Sequence, residues 1–305
     1  MKLDIFSHWT IDTIQINDSK YVVPGGPACY CSLTARILKF DVRLHTKFGS
    51  DFPLVNYLTE QKIVFEDALS TKPTTQFILN LVNSERTLFL QNKCESINSV
   101  TLDTDNVIIS PLFDEISIEL FEKIKKNANF VLLDPQGFLR RKNSENKIYL
   151  EQTDLNLSNV SAIKVNPDEL KCLTSASNID GVKILQKKGI ENVILTDKQN
   201  ISLLSKNKIY SITLPNLELV DTTGIGDIFC AAFCCTMLRE KDILWALSFA
   251  GGAVQAALES KQIGLEKIPP KGAIESNAYY FYNTIKFKGI WFLLYVENCL
   301  LCVLV

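Results

Sequence analysis

The stretch Asp221-Thr222-Thr223-Gly224-Ile225-Gly226-Asp227, followed at once by Ile228-Phe229, has the residue types and spacing that most directly specify chemistry. Two glycines one residue apart let the backbone turn tightly and leave bare N–H groups facing a common space. An apolar helical pattern starts immediately afterwards. Its first N–H groups have no partners within the helix, and the positive end of its dipole falls at the glycines. Together these features make a cradle for a phosphate or a developing negative charge. Asp227 beside the cradle has two readings. In one it is an acidic residue in a first helical turn, favourable there by about 0.3–1 kcal/mol. In the other it is a carboxylate that accepts the proton of a hydroxyl attacking phosphorus. An unperturbed pKa of roughly 3.9 would leave it ionised at neutral pH, as a base must be. The flanking threonines and the spaced glycines favour the second reading. Competing motifs fail: Gly224–Phe229 lacks the third glycine of a dinucleotide fingerprint and lies late in the chain, and no GxxxxGK[ST] occurs.

Other segments carry weaker signals. Gly25-Gly26 precedes a helical pattern from about Ala28 to Leu38 and reads either as a β-turn or as a close backbone approach to a small polar substrate. In Asn166-Pro167-Asp168-Glu169, Asn as N-cap, Pro at the first helical position and Glu at the third form a capping signal. The same oxygens could instead face the water shell of a magnesium ion bound to phosphates. The two readings are evenly balanced. Asp134, Asn166 and Thr196 each follow an apolar strand pattern, and Asp12 follows the first strand after a short connector. In an open α/β sheet ligands gather at the carboxyl ends of strands, so these residues should converge on one cleft.

The elements that must position these groups alternate between short β-branched runs and longer helical patterns, the sign of a mostly parallel sheet covered by helices. Strands are expected at Leu3–Phe6, Val42–His45, Val107–Ile109, Phe130–Leu133, Ala162–Val165 and Asn192–Leu195, with helices at Ile118–Lys126, Ile179–Lys188, Ile228–Arg239 and Ile243–Leu258. Ala246, Ala250, Ala253 and Ala257 give the last helix a small-residue face. Two stretches, Ile14–Val23 and Thr75–Leu90, break the rhythm and read as antiparallel strands, the second turning at Asn83-Ser84-Glu85. They predict a small β-appendage on one α/β body. Its unpaired edges could join two copies as a homodimer.

Composition narrows the function classes. With 32 Lys+Arg against 34 Asp+Glu the chain lacks the basic excess of a nucleic-acid binder. Two histidines, His8 and His45, leave little for a His-rich metal site or a His-based triad. Nine irregularly spaced cysteines, and no signal peptide at Met1-Lys2-Leu3-Asp4, point to reduced thiols in a cytoplasmic protein. Cys299 and Cys302 form a CxxC without the further ligands a structural zinc requires. The apolar segment Ile290–Val305 falls short of the ~20 residues of a membrane span and contains Glu297 and Asn298. A terminal element buried on the domain, or a feature unrelated to function, is the favoured reading.

With these residues in hand, the chain resembles the ribokinase-like (PfkB) family of carbohydrate and nucleoside kinases from about Asp4 to Pro269. Asp221–Asp227 with Phe229 matches the family's DTTGAGDxF signature, with Ile225 in place of Ala. Gly25-Gly26, Gly49-x-Asp51 and Asn166–Glu169 (the family's NxxE) follow in matching order and spacing. The resemblance implies an αβα sandwich with a mostly parallel central sheet over residues 1–285. Lid segments are expected near 13–25 and 72–92, and a C-terminal tail from 286 to 305. It implies phosphorylation of an alcohol by ATP, with Mg²⁺. Asp227 is then the base and the Gly224, Ile225, Gly226 and Asp227 amides the anion hole. Asp12, Gly25 and Gly26 lie near the substrate hydroxyls, Asn166 and Glu169 around the metal–phosphate water shell, and Thr196, Thr222 and Thr223 near the nucleotide. Two departures stand out: Asp197 replaces the usual glycine after Thr196, and Tyr30 stands where kinases closest to ribokinase carry Asn. GGPACY, LDPQGFLR (Leu133–Arg140) and QIGL (Gln262–Leu265) look more similar to the myo-inositol kinase-like branch. The expected substrate is a small sugar, polyol or nucleoside. The alternative is a ligand-sensing protein that has lost catalysis; a nicotinamide dehydrogenase is disfavoured by the missing early fingerprint.

Overall fold

Successive residues of the central strands are buried on opposite faces, so the sheet needs helices on both sides. Val107 and Ile109 belong to one apolar core and Ile108 to the other; Val131 and Leu133 are likewise divided from Leu132. This is the period-two alternation of a strand covered twice. The computed structural model describes residues 1–16, 18–82, 85–98, 101–215, 221–289, 294–296 and 299–301.

The chain begins with β1 (Lys2–Phe6), the lid strands β2 (Thr10–Ile16) and β3 (Ser19–Gly25), α1 (Pro27–Ile37), β4 (Asp41–His45), α2 (Val55–Glu60) and β5 (Ile63–Val64). The second lid pair, β6 (Thr75–Val82) and β7 (Glu85–Asn92), precedes β8 (Asn106–Ile109), α3 (Ile118–Asn127), β9 (Phe130–Leu133) and α4 (Gln136–Leu139). A small hairpin, β10 (Arg140–Lys142) and β11 (Ile148–Leu150), leads to β12 (Ala162–Val165), α5 (Pro167–Thr174), α6 (Asn178–Lys187) and β13 (Asn192–Asp197). Then come β14 (Asn200–Ser205), β15 (Lys208–Thr213), α7 (Ile225–Glu240), α8 (Ile243–Glu259), α9 (Lys271–Thr284) and β16 (Lys286–Gly289).

Among the described residues the main sheet has ten strands in the order β16-β15-β14-β13-β12-β9-β8-β1-β4-β5. From β13 to β5 neighbouring strands are parallel, while β14, β15 and β16 add antiparallel at one edge. Side chains of α1, α7, α8 and α9 fill one core, and those of α3, α5 and α6 fill the other. The result is the expected αβα sandwich. The expected small-residue face of α8, Ala246, Ala250, Ala253 and Ala257, is buried in the core, and on another side of the helix Gly252 allows close approach to α9, where a Cβ would stand 2.6 Å from the Ile274 carbonyl.

Four strands form the lid, in the order β3-β2-β6-β7. Both expected strand pairs are antiparallel, but β2 and β6 join them in parallel, making the lid one mixed sheet. The turn expected at Asn83-Ser84 lies outside the described residues. The Gly49-x-Asp51 motif braces the lid's base. Asp51 accepts from the Thr74 amide at 2.9 Å and its hydroxyl at 2.6 Å, and the Gly49 amide donates to Thr74 Oγ1 at 3.0 Å. A side chain on Gly49 would strike Asp51 and the Lys72 carbonyl.

The antiparallel edge was not anticipated. Lys206 and Asn207, both at positive φ, close a tight two-residue turn between β14 and β15 without a glycine to advertise it. Lys286–Gly289, the start of the segment expected as a tail, pairs with β15. Further on, Leu294–Val296 and Cys299–Leu301 form a short antiparallel pair; Ile290, Glu297, Asn298 and Cys302 lie outside the described residues. No helix among the described residues is long and apolar enough to cross a membrane.

Candidate active site

The glycine turn lies where the lid faces the ends of the body strands. Gly224 is the N-cap of α7 at φ 76°, a left-handed conformation that only glycine adopts freely. A Cβ there would stand 2.4 Å from the Tyr30 ring, so the absence of a side chain also lets that ring lie against the turn. The loop before the helix is pinned by Asp221, which accepts from the Thr223 amide at 2.8 Å and the Gly264 amide at 3.1 Å. Asp221 also forms a buried ion pair with Lys267, which donates to the Thr223 carbonyl at 2.9 Å. Burial alone would raise the Asp221 pKa, but Lys267 and these hydrogen bonds hold it below the usual carboxylate value.

Not every amide of the expected anion hole is open. The Asp227 N–H donates to the Gly224 carbonyl at 3.1 Å, and that of Ile225 approaches the Thr222 carbonyl at 3.4 Å. Among the described residues the amides of Gly224 and Gly226 meet no acceptor, so of the four expected amides these two are open.

Two cavities share this wall. The first, about 190 Å³, lies between lid and body and is lined by Asp12, Tyr30, Asp134, Arg140, Lys164 and Asp227, among others. The second, about 730 Å³, runs from the ends of β13 and β14 to α7 and α8, and Thr196, Asp197, Asn200 and Ile225 line it. Arg86, Thr222 and Gly226 border both. A ligand in each would therefore meet at the glycine turn.

Most of the expected residues fall on these two cavities, with altered roles for some. Asp12 sits within the lid strand β2, so the lid rather than a body strand delivers it. Gly26, at φ 80°, lines the smaller cavity. Gly25 stands behind it: a Cβ there would lie 2.5 Å from Asp12 Oδ2, so this glycine makes room for the carboxylate. Asn166 and Glu169 line the smaller cavity and also form the reciprocal capping box of α5 at 2.9 Å in each direction. The bland reading of that motif holds, and only Glu169 Oε1 and the Asn166 amide nitrogen are left over for a ligand. Thr196 lies inside β13 rather than after it; its hydroxyl is 3.4 Å from the Val165 carbonyl. Thr222 borders both cavities, and Thr223 the smaller one.

Burial corrects the ionisation expected of the acids. Asp227 is 8% exposed, and burial first, then the neighbouring Asp134, raise its pKa from 3.8 to about 7. Burial likewise raises Asp12 to about 7. Without ligands both acids therefore share protons near neutrality, rather than standing ionised as an exposed Asp would. Asp12 Oδ1, the Tyr30 hydroxyl and Thr223 Oγ1 are buried without a hydrogen-bonding partner among the described residues. All three residues line the smaller cavity, where buried polar groups would ordinarily be paired by whatever fills it.

Several residues of this site escaped the sequence reading. Tyr30 was noted only as a departure, yet it packs on the glycine turn. Arg140 donates to the Leu112 carbonyl at 3.1 Å and Gln136 Oε1 at 2.6 Å, and Arg86 comes from the lid. Lys164 forms an ion pair with Asp134 at 2.6 Å, both side chains nearly buried. Burial favours its neutral form, but Asp134 and Glu169 outweigh that and hold its pKa above the ordinary lysine value. The available signal was a lysine inside the buried strand Ala-Ile-Lys-Val.

Mixed sheet, lid and glycine turn together define a ribokinase-like kinase architecture. The family model described as pfkB family carbohydrate kinase matches residues 23–268, and the chain belongs to that family of phosphotransferases with hydroxyl acceptors. It is 24% identical over 260 residues to a cytidine kinase of Thermococcus kodakarensis, covering 80% of this chain and 91% of the relative. Its fold is shared with a pyrophosphate-dependent kinase of the ribokinase family complexed with a pyrophosphate analog and myo-inositol (TM-score 0.75, 19% identity, 90% and 99% of the two chains). It is shared as well with Arabidopsis thaliana ribokinase complexed with ribose and ATP (TM-score 0.69, 18% identity, 91% and 98%).

Proposed function

We propose that the chain transfers the γ-phosphoryl group of ATP to a hydroxyl of a small polyol, sugar or nucleoside. The observation that carries this reading is the wall common to the two cavities. Gly226, with one of the two free amides, borders both cavities, and beside it Gly224, with the other, and the buried Asp227 carboxylate face the smaller one. The acceptor occupies the smaller cavity, where Asp12, Tyr30 and Thr223 offer unpartnered polar atoms to its hydroxyls. The nucleotide lies in the larger, more apolar one, with its terminal phosphate at Gly224 and Gly226. Asp227 aims the attacking hydroxyl and takes its proton as the bond to phosphorus forms. Because such transition states are loose, positioning and charge stabilisation outweigh proton removal. Closure of the lid over the acceptor excludes water and limits wasteful hydrolysis.

Magnesium fits this site as an ion held by donor phosphates and water. Among the described residues no group of three or more His, Cys, Asp and Glu could hold a metal unaided. Glu169 Oε1 and Asn166 would contact its water shell. When bound, the ion would neutralise phosphate charge.

The pyrophosphate-dependent neighbour raises a second reading, in which pyrophosphate replaces ATP. The 730 Å³ cavity favours a donor with a nucleoside, because pyrophosphate would leave most of that space unfilled. The test is product formation from ATP or pyrophosphate with a panel of polyols, sugars and nucleosides, myo-inositol and cytidine included. Turnover with ATP supports the proposal. Turnover with pyrophosphate alone reassigns the donor, and none with either returns the ligand-sensing alternative. We also infer a cytoplasmic homodimer joined through the lids: β3 is an edge strand with Val22 62% exposed.

A further inference from the structure

Lys164, nearly buried in the acceptor cavity, is a cation to which the mechanism above gives no task. Its ammonium lies 3.2 Å from where a Cβ on Gly226 would stand, so the missing side chain opens a direct path between the amine and the cradle. Of its three N–H donors, one is taken by Asp134 Oδ2 at 2.6 Å. Among the described residues no other acceptor meets the amine, which leaves donors for the cavity that Lys164, Gly224 and Gly226 all line. Asp134 is itself held, accepting from the Gln136 amide at 3.3 Å. A buried ion pair is a weak source of stability, because removing both charges from water offsets most of their attraction. Charge balance supplies a better reason for this one. The acids Asp134 and Glu169 line the cavity together with Asp12 and Asp227, and the cations Arg86, Arg140 and Lys164 face them; of these cations Lys164 is the one placed against Gly226, where a phosphoryl group in the cradle needs a fixed positive charge.

We propose that Lys164 is a catalytic residue: its ammonium forms the charged side of the phosphate cradle and donates to the oxygens of the phosphoryl group in flight. The inference rests on the kinase reading of the same site. In the step, the bond from acceptor oxygen to phosphorus forms and the bond from phosphorus to the donor's bridging oxygen breaks. The acceptor's proton passes to Asp227, and the electron pair stays with the departing ADP. Lys164 transfers no proton. Asp134 is a positioning residue that aims the amine.

Three variants test this: Lys164→Met, Lys164→Arg and the double variant Asp134→Asn/Lys164→Met. The double variant removes the carboxylate that the single one leaves buried and unpaired, and so separates chemistry from folding. Turnover is measured with the best acceptor of the wild-type protein. ADP binding is measured by calorimetry with and without aluminium fluoride, a mimic of the phosphoryl group in flight. Lys164→Met should lower kcat by ~10²–10³-fold, with acceptor KM and ADP affinity near wild type, and should lose the extra affinity that aluminium fluoride confers. The double variant should melt like the wild type and show the same losses, and Lys164→Arg should restore part of both. Wild-type turnover, or an intact aluminium fluoride effect, in the double variant would overturn the inference and leave the kinase reading standing. A wild-type protein without turnover on any acceptor would bring down both.

Discussion

Replacing Asp227 by Asn should make the protein more stable and nearly inactive, and the stability gain should depend on pH. Burial and Asp134 raise the Asp227 pKa from 3.8 to about 7. Its ionised form is thus disfavoured in the folded protein by at most ~4 kcal/mol. The folded state holds this proton more tightly than the unfolded state does. The protonated acid therefore supports the fold fully below about pH 4, and that support is lost as pH rises to about 7. Asparagine does not titrate, and the similar contribution of Asp12 is common to both proteins. Between about pH 5 and pH 8 the variant's advantage should grow by ~3 kcal/mol, or about 6 °C in midpoint at roughly 2 °C per kcal/mol for a large domain. Thermal unfolding of both proteins without ligands, at the two pH values, measures it. Turnover at saturating ATP should fall by ~10²–10⁴-fold. A melting difference identical at both pH values would refute the buried, proton-sharing carboxylate, and undiminished turnover would remove Asp227 from the mechanism.

The same titration sets the rate profile. In the wild-type protein kcat/KM for the acceptor should fall about tenfold per pH unit below about 7, where an exposed aspartate would hold its rate down to about 4. Gly224→Ala should lower both melting temperature and turnover, since its Cβ would run into the Tyr30 ring and its backbone at φ 76° resists any side chain; a fully active, stable variant would contradict the tight turn. Gly25→Ala should raise acceptor KM while ADP affinity, followed by calorimetry, stays unchanged, because its Cβ displaces the Asp12 carboxylate. Val22→Lys on the exposed lid edge should convert a dimer to a monomer by light scattering; a monomeric wild-type protein would end the lid-pairing proposal.

Local chemistry was written openly in the chain. At Asp221–Asp227 the turn, the helix start and the adjoining carboxylate follow from residue type and spacing, because glycine conformation and helix-end amides are properties of short segments. Central strands such as Val107–Ile109 and Phe130–Leu133 were equally plain, since burial on two faces demands an unbroken apolar run. Less local pairings were only half visible. The Asn166–Glu169 motif fitted a cap and a metal shell equally well until both hydrogen bonds of the cap were seen. The β14–β15 hairpin hid because Lys206 and Asn207 take left-handed backbones without glycine.

By itself, then, the sequence determined the layered α/β body, the lid strands and the glycine turn that opens α7, all of which are written in the residue types and periodicities of short segments. Tertiary structure alone decided that Tyr30 lies on Gly224, that Lys164 reaches Gly226, and that Arg86 descends from the lid to the wall between the cavities. It also decided the protonation of Asp12 and Asp227. A carboxyl group's affinity for its proton depends on how much water and which charges surround it, and those surroundings are assembled from elements far apart along the chain.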